Sequence, residues 1–113
     1  MDDEMIIRVL KALGDPTRLR VVAFLARCCC GRAAIREDGG VEGPTAGEVC
    51  CHISGVERIT STISHHLHEL ADAEVIRIER RGKTALCTLV PETLLVLSSH
   101  LTKLASGGDQ GSC

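Results

Sequence analysis

Residues 60–89 decide the fold, and they read TSTISHHLHELADAEVIRIERRGKTALCTL. In the first half of this stretch, apolar residues recur at the spacing of one helix face, at Ile63, Leu67, Leu70 and Ala71. Thr60 and Ser61 are both of a residue type that caps helix starts. The pattern predicts a helix that opens at Thr60 or Ser61 and ends near Glu74.

The second half of the stretch has the pattern of two paired strands. Ile76 and Ile78 face one way, whereas Arg77 and Glu79 face the other. The run RRGK at 80–83 then predicts a turn, and residues 84–89 predict a returning strand. We therefore expect a β-hairpin with a basic tip directly after the helix.

Outward from this stretch, apolar periodicity predicts four more helices, at 4–13, 16–28, 46–53 and from Pro91 onward. Asp15-Pro16 is a helix start signal, and Thr45 with Glu48 matches a capping box. The glycine-rich segment 31–44 predicts a flexible loop, and 106–113 predicts a flexible tail. The sequence thus predicts one mainly helical domain over 1–105 with a small β-hairpin.

Three of these helices have a predicted apolar stripe. The stripes are Ile6, Leu10 and Leu13 with Ile7 beside them; Leu19, Val22, Ala23 and Ala26; and Leu94, Leu97, Leu101 and Leu104. The chain has one Phe and neither Trp nor Tyr, so its core must come from aliphatic side chains. Because 113 residues bury a low fraction of their surface, dimerisation is an attractive source of further burial.

The net charge of −2 is weak evidence for a nucleic-acid partner, so the distribution of charge matters more. Residues 77–83 hold four cationic side chains against the single carboxylate of Glu79. The N-terminus is acidic where a signal peptide would be basic, and the apolar run 19–26 is too short to cross a bilayer. We expect a cytoplasmic protein with no membrane partner.

Three segments resemble motifs of the arsenic-responsive (ArsR/SmtB) repressor family. Residues 12–20, ALGDPTRLR, resemble the second-helix signature, and residues 61–67, STISHHL, resemble the recognition helix. Residues 73–76, followed by the basic run 80–83, resemble the turn into the wing. The resemblance covers roughly 5–105 and implies a winged helix-turn-helix fold of five helices and a wing. It also implies a repressor of operator double-stranded DNA that forms a symmetric homodimer through its first and last helices.

The resemblance also assigns DNA contacts by position. On the recognition helix they are Ser61, Thr62, Ser64, His65 and His68, and on the wing they are Arg80, Arg81 and Lys83. Small polar side chains suit base edges in the major groove, and cations suit the backbone or the minor groove. His66 lies beside Ile63 and Leu70 on the helical wheel, so it is expected to be a partly buried packing residue.

Seven cysteines are many for this length, and the odd count with three in a row does not suit a disulfide framework. The segment 48–52, EVCCH, resembles the Glu-Leu-Cys-Val-Cys pattern of arsenic-sensing members but has adjacent thiols. Adjacent side chains on a helix point about 100° apart. Cys50 and Cys51 can still share an ion if the helix end frays or if another ligand joins them. The run Cys28, Cys29 and Cys30 is the obvious supplier.

The donor set leaves the inducer open. Three thiolates suit trivalent arsenic or antimony, whereas three thiolates with His52 suit zinc or cadmium, and lead is a further thiophilic candidate. Oxidation or persulfidation of the vicinal thiols is the alternative that uses no metal. Metal binding is expected to displace the start of the third helix and so to release the DNA. Cys87 is expected to be a buried apolar residue, and Cys113 stays unassigned.

Other sites are disfavoured by what the sequence lacks. The last helix offers only Glu92 and His100 to the zinc site that other family members place there, and it has no cysteine for a sulfide-sensing thiol pair. An enzyme of thiol chemistry is disfavoured because the chain has no Cys-x-x-Cys pair and no basic residue beside Cys50 or Cys51 in sequence. We therefore expect no catalysis and no small organic substrate.

Overall fold

The structure is a computed structural model, and it describes residues 2–27, 34–35, 41–42, 45–55 and 60–107. Their elements in chain order are α1 (Asp3–Leu13), α2 (Pro16–Arg27), β1 (Ala34–Ile35), β2 (Val41–Glu42), α3 (Ala46–Ser54), α4 (Ser61–Asp72), β3 (Ile76–Arg81), β4 (Thr84–Leu89) and α5 (Pro91–Ala105). The predicted architecture of five helices and a hairpin is confirmed. None of the helices in these ranges combines the length and the apolarity needed to cross a membrane.

The short antiparallel pair β1–β2 was not predicted. Ala34 pairs with Glu42 and Ile35 with Val41, inside the segment that the sequence predicts to be a loop without structure. A two-residue strand is too short to show alternation, so glycine content alone decided that prediction. The rest of 31–44, up to Thr45, lies outside the described residues, as do 108–113 of the predicted tail.

Three helices start at the side-chain caps that the sequence predicts, and Asp2 caps a fourth helix, α1. The hydroxyl oxygens of Thr45 and Thr60 each accept a hydrogen bond from the backbone N–H three residues on, at 3.0 Å and 3.2 Å. Asp15 Oδ1 accepts from the N–H groups of Thr17 and Arg18, at 2.8 Å and 3.1 Å. The hydrogen bond from the Arg18 N–H lowers the pKa of the Asp15 carboxyl.

The core lies where α1, α2 and α4 pack together and where α3 and the strand β4 close over α2. Its fully buried large side chains are Val9, Val21, Leu25, Val49, Cys50, Leu67, Leu70, Val75 and Cys87. The predicted stripe of α4 is confirmed at Ile63, Leu67 and Leu70, while Ala71 is only half-buried.

The predicted stripe of α2 is confirmed only at Val22 and is wrong at its other three positions. Its buried residues are Val21, Val22 and Leu25, whereas Leu19 is 54% exposed and both predicted alanines are exposed. Apolar residues occur on both sides of this helix, so periodicity alone does not select the face that packs. The contacts of α2 with α3, α4 and β4 select it instead.

The stripes of the first and last helices are confirmed only in part. In α1 the buried residues are Ile6, Val9 and Ala12, whereas Ile7 and Leu10 are exposed. In α5 Leu97 is buried and Leu94 is half-buried, but the other two predicted leucines are exposed. The exposed large apolar residues of these two helices are Ile7, Leu10, Leu95, Val96, Leu101 and Leu104.

A tight turn joins α4 to the hairpin. Glu74 has φ 60°, its N–H donates to the carbonyl of Ala71, and the N–H of Val75 donates to the carbonyl of Leu70. This is a Schellman motif with glutamate at the left-handed position that usually holds glycine. The buried Thr93 hydroxyl donates to the carbonyl of Glu74 at 2.6 Å, so α5 holds the turn in place.

The hairpin of β3 and β4, here called the wing, closes through a two-residue turn. Its register runs from Ile76 opposite Leu89 to Arg81 opposite Thr84. Gly82 has φ 62°, which glycine adopts without steric cost. The predicted turn began two residues too early, because Arg80 and Arg81 continue β3. A β-bridge from Leu86 to Thr45 joins the wing to the start of α3.

The buried face of α2 predicts unequal effects for two leucines on that helix. Leu25→Ala leaves a cavity in the core and should lower the free energy of unfolding by about 2–5 kcal/mol. Leu19→Ala is the matched control and should change it by about 0.5 kcal/mol or less, as exposed sites do. Urea denaturation of both variants checks this, and a larger loss for Leu19→Ala would contradict the assigned face.

Candidate functional site

The outward face of α4 carries the predicted recognition residues. Ser61, Thr62, His65 and His68 are exposed, and Ser64 is half-exposed. Burial of the opposite face of α4 fixes the rotation of the helix and leaves these polar side chains pointing away from the core. A helix that presents short polar side chains in this way can enter the major groove and contact base edges.

A groove of about 450 Å³ separates α4 from the wing. Its lining residues are Thr45 and Ala46 from the start of α3, Ser64, Leu67 and His68 from α4, and Ile78, Arg80, Lys83, Thr84 and Ala85 from the wing. The structure thus brings together four predicted DNA contacts, Ser64, His68, Arg80 and Lys83. None of these lining residues is acidic, so the groove favours an anion.

The other predicted DNA contacts lie outside this groove. Arg81 Nη2 is 3.2 Å from Glu79 Oε1 in an exposed ion pair, and His65 Nε2 is 3.9 Å from Glu69 Oε1. Exposed pairs of this kind are weak, so both side chains remain able to exchange partners. Ser61 and Thr62 occupy the first turn of α4, at the end of the helix that enters DNA first in helix-turn-helix proteins.

His68 has a defined hydrogen-bonding state on its helix-facing side. Its Nδ1 is 2.7 Å from the backbone carbonyl oxygen of Ser64 and 3.5 Å from the Ser64 hydroxyl. A carbonyl oxygen only accepts, so Nδ1 carries the proton and donates it. The second ring nitrogen, Nε2, is then left for contacts other than this one.

His66 ties α4 to α2. Arg18 Nε donates to His66 Nδ1 at 3.0 Å, Asp15 Oδ1 is 4.0 Å from the same nitrogen, and the His66 side chain is 14% exposed. Arg18 also donates to the carbonyl of Lys11 at 3.4 Å. Partial burial of His66 confirms the packing prediction. Its arginine partner was missed, because the segment around Asp15 was interpreted only as a helix start.

Cys50 lies in the core. It is 0% exposed in the middle of α3, beside the equally buried Val49. The side chain of Cys50 therefore does not face solvent, although the sequence pattern makes Cys50 and Cys51 candidate ligands of one ion. The side chain of Cys51 lies outside the described part of the chain, as do Cys28, Cys29, Cys30 and Cys113. The described residues contain no group of three or more side chains that could hold a metal ion.

The C-terminal part of α2 contacts α3 through ring stacking and hydrogen bonds. The Phe24 and His52 rings stack with centroids 4.2 Å apart, and Arg27 Nη2 donates to His52 Nε2 at 3.3 Å. Arg20 Nη2 donates to the carbonyl of Ile53 at 3.2 Å, near the C-terminus of α3. Arg27 directly precedes the three-cysteine run and His52 directly follows Cys51. Arg27 is thus adjacent in sequence to Cys28 and hydrogen-bonded to the residue that follows Cys51.

Comparison with known proteins gives matches only among solved structures, since no family model and no curated protein matches the chain. An ArsR family transcriptional regulator matches with TM-score 0.71 at 22% identity, over 94% of this chain and 92% of its own. A possible transcriptional regulator for arsenical resistance matches with TM-score 0.61 at 22% identity, over 86% and 83%. The transcriptional repressor BigR from Xylella fastidiosa matches with TM-score 0.54 at 19% identity, over 86% and 83%.

The chain has the winged helix-turn-helix fold of ArsR-family regulators. In this ArsR-type fold α3 and α4 are the helix-turn-helix pair, and β3 and β4 are the wing. At 19–22% identity the likeness shows the fold, so the role of each side chain depends on its own geometry.

The buried thiol of Cys87 on β4 provides a test by pH. Burial raises the pKa of this thiol from its ordinary value of 9.0 to about 11. The folded state keeps the proton that the unfolded state loses, so this contribution is complete below about pH 9 and disappears as the pH rises to about 11. Wild type should lose stability over that interval relative to Cys87→Ala.

Urea denaturation of both proteins between pH 8 and 11 measures this difference. Parallel stability curves for the two proteins would contradict the raised pKa. Alkylation followed by mass spectrometry is an independent check, in which Cys87 should be labelled only after unfolding at pH 8.

Proposed function

We propose that this protein is a homodimeric transcriptional repressor that leaves its operator DNA when trivalent arsenic or antimony binds cysteine thiolates. The observation that carries the DNA-binding part is the meeting of a polar helix face with a cationic groove. Ser64 and His68 on α4 lie across that groove from Arg80 and Lys83 on the wing. The exposed Ser61, Thr62 and His65 of the same helix would select the sequence, and the two cations of the groove would attract the phosphates.

The local charge supports DNA binding better than the total charge does. The whole chain carries a net charge of −2, but acidic residues are absent from the groove lining. Glu79 is engaged with Arg81, on the side of the wing tip outside the groove. A duplex that approaches α4 would therefore meet Arg80 and Lys83 first, despite the acidic balance elsewhere.

The exposed apolar residues of α1 and α5 support a homodimer. Ile7 and Leu10 on α1, and Leu95, Leu101 and Leu104 on α5, are each more than 40% exposed in the single chain. Burying a leucine or isoleucine side chain contributes about 1.5–3 kcal/mol, so a few of them suffice to favour association. A two-fold dimer through these helices would present two copies of α4 to two half-sites.

The contact between α2 and α3 supports the sensor part. The Arg27–His52 hydrogen bond holds the residue before Cys28 against the residue after Cys51. The thiols that would bind a soft ion are Cys51 and one or more of Cys28, Cys29 and Cys30. Their thiolate sulfurs would coordinate such an ion strongly. Cys50 would join them only if α3 rotates, because its side chain faces the core.

The position of α3 would couple the thiols to DNA. Thr45 at its start is bridged to Leu86 of the wing and also lines the groove. A shift of α3 would therefore move the wing relative to α4. The repressor would be released if its thiols bind the ion more tightly off DNA than on it, and couplings between such sites are typically about 1–3 kcal/mol.

Other inducers fit the same thiols. Zinc or cadmium would recruit His52, whose Nε2 accepts from Arg27 and whose ring stacks on Phe24, so those contacts would have to change. Lead binding, thiol oxidation or persulfidation would leave His52 in place. We propose no catalysis at any of these sites.

The test is fluorescence anisotropy of the reduced protein on DNA from upstream of its own coding sequence, with arsenite as the titrant. Wild type should bind the DNA and release it as arsenite is added. Cys51→Ser should bind the DNA equally well but need at least tenfold more arsenite for release, because one strong sulfur ligand is lost. Cys87→Ala is the matched control and should respond as wild type does.

Each outcome decides a different part of the proposal. Failure of the wild type to bind DNA would overturn the proposal that the protein is a repressor. DNA binding without release by arsenite or antimonite would overturn the arsenic sensor, and titration with zinc, cadmium, lead and an oxidant would then identify the inducer. If Cys51→Ser is released by the same arsenite concentration as wild type, Cys51 is not a ligand of the ion.

A further inference from the structure

We propose that the groove between α4 and the wing holds one backbone phosphodiester of the operator, with His68 in its protonated form. Each subunit then takes up a proton when it binds DNA. The inference rests on the proposed DNA binding and adds the ligand of the groove and its charge state. Its support is the geometry of His68 together with the residues that line the groove.

The groove is built for an anion rather than for a base edge. Arg80 and Lys83 contribute two cations, and Ser64, Thr84 and Thr45 contribute hydroxyl groups. Charged donors of this kind bind phosphate oxygens strongly. The groove volume of about 450 Å³ exceeds that of a phosphate group and leaves space for the sugars on either side. Base contacts fall instead to Ser61, Thr62 and His65 of α4, which lie outside the groove.

His68 has the wrong hydrogen-bonding character for this anion while it is neutral. Its Nδ1–H is committed to the Ser64 carbonyl at 2.7 Å, so a neutral ring keeps a lone pair on Nε2. A lone pair facing a phosphate oxygen is repulsive. Protonation converts Nε2 into a charged donor without disturbing the bond at Nδ1. Phosphate binding and protonation of His68 therefore favour each other.

The charged groups around His68 determine how strong this coupling is. Arg80 and Lys83 line the same groove from the wing and carry its two fixed positive charges. The start of α3 contributes only Thr45 and Ala46, which carry no charge. On α4 itself, His65 lies one turn before His68 and Asp72 lies one turn after it, and both side chains are exposed. A phosphodiester would neutralise the charges of Arg80 and Lys83, so that a third positive charge on His68 is favourable in the groove.

The inference predicts that operator affinity rises as the pH falls. Imidazole is the side chain that ordinarily changes its charge between pH 5 and 8. One coupled proton weakens binding by up to about tenfold for each pH unit above the titration range. The measurement is the Kd of the reduced full-length protein for its operator, by anisotropy at pH 6, 7 and 8 and constant ionic strength.

Two substitutions at one position separate charge from shape. His68→Gln keeps polarity but cannot take up a proton, so it should lose most of the pH dependence and bind weakly throughout. His68→Lys keeps a positive charge and should bind at pH 8 about as tightly as wild type binds at pH 6. His68 is exposed, so both variants should leave the dimer and the helix content unchanged.

Operator DNA with single neutral methylphosphonate linkages identifies the phosphate. A substitution at the linkage in the groove should abolish the pH dependence of wild type and lower the salt slope of log K by about 0.9 for each subunit. Neighbouring substitutions should leave the pH dependence intact and serve as matched controls.

The outcomes separate this inference from the proposed function. Tight DNA binding with the same pH dependence in wild type and His68→Gln would overturn the inference alone. Loss of binding in His68→Lys at every pH would also overturn it, since that result assigns His68 a structural role. Absence of DNA binding by the wild type would overturn both. A pH dependence lost in His68→Gln and at a single methylphosphonate position supports the inference.

Discussion

Burial of Ile63, Leu67 and Leu70 fixes the rotation of α4, and the rest of the site depends on that orientation. Once these three side chains are in the core, the outer face of the helix must carry Ser61, Thr62, His65 and His68. The fixed rotation also directs Ser64 and His68 towards the wing, so that a groove forms there. A helix free to rotate would present no constant set of donors to DNA.

Several contacts then hold the neighbouring elements around α4. The Arg18–His66 hydrogen bond fastens its middle to α2, and the Thr93–Glu74 hydrogen bond fastens the turn that follows it to α5. The bridge from Thr45 to Leu86 fastens the wing to α3. The start of the thiol-bearing helix α3 thus lines the groove beside the wing, which gives a direct route from the proposed sensor to the proposed interface.

The parts predicted well from the sequence are those with strong local signals. Thr60, the apolar spacing of α4 and the alternation of the wing lie within one continuous stretch, and the structure follows them closely. The packing face of α2 was missed because it depends on contacts with distant elements. Burial of Cys50 was missed because α3 is short and apolar on more than one side. The Arg18–His66 pair spans 48 residues, which no local pattern reveals.

The most direct test of the central claim is a hydroxyl-radical footprint of the reduced protein on DNA from upstream of its own coding sequence. Two copies of α4 related by a two-fold axis should protect two symmetric half-sites, about 10 base pairs apart or a whole multiple of that spacing. Weaker protection of the flanking backbone should mark the position of the wings. The absence of protection, or a single patch without symmetry, would contradict the account of a dimeric winged-helix repressor.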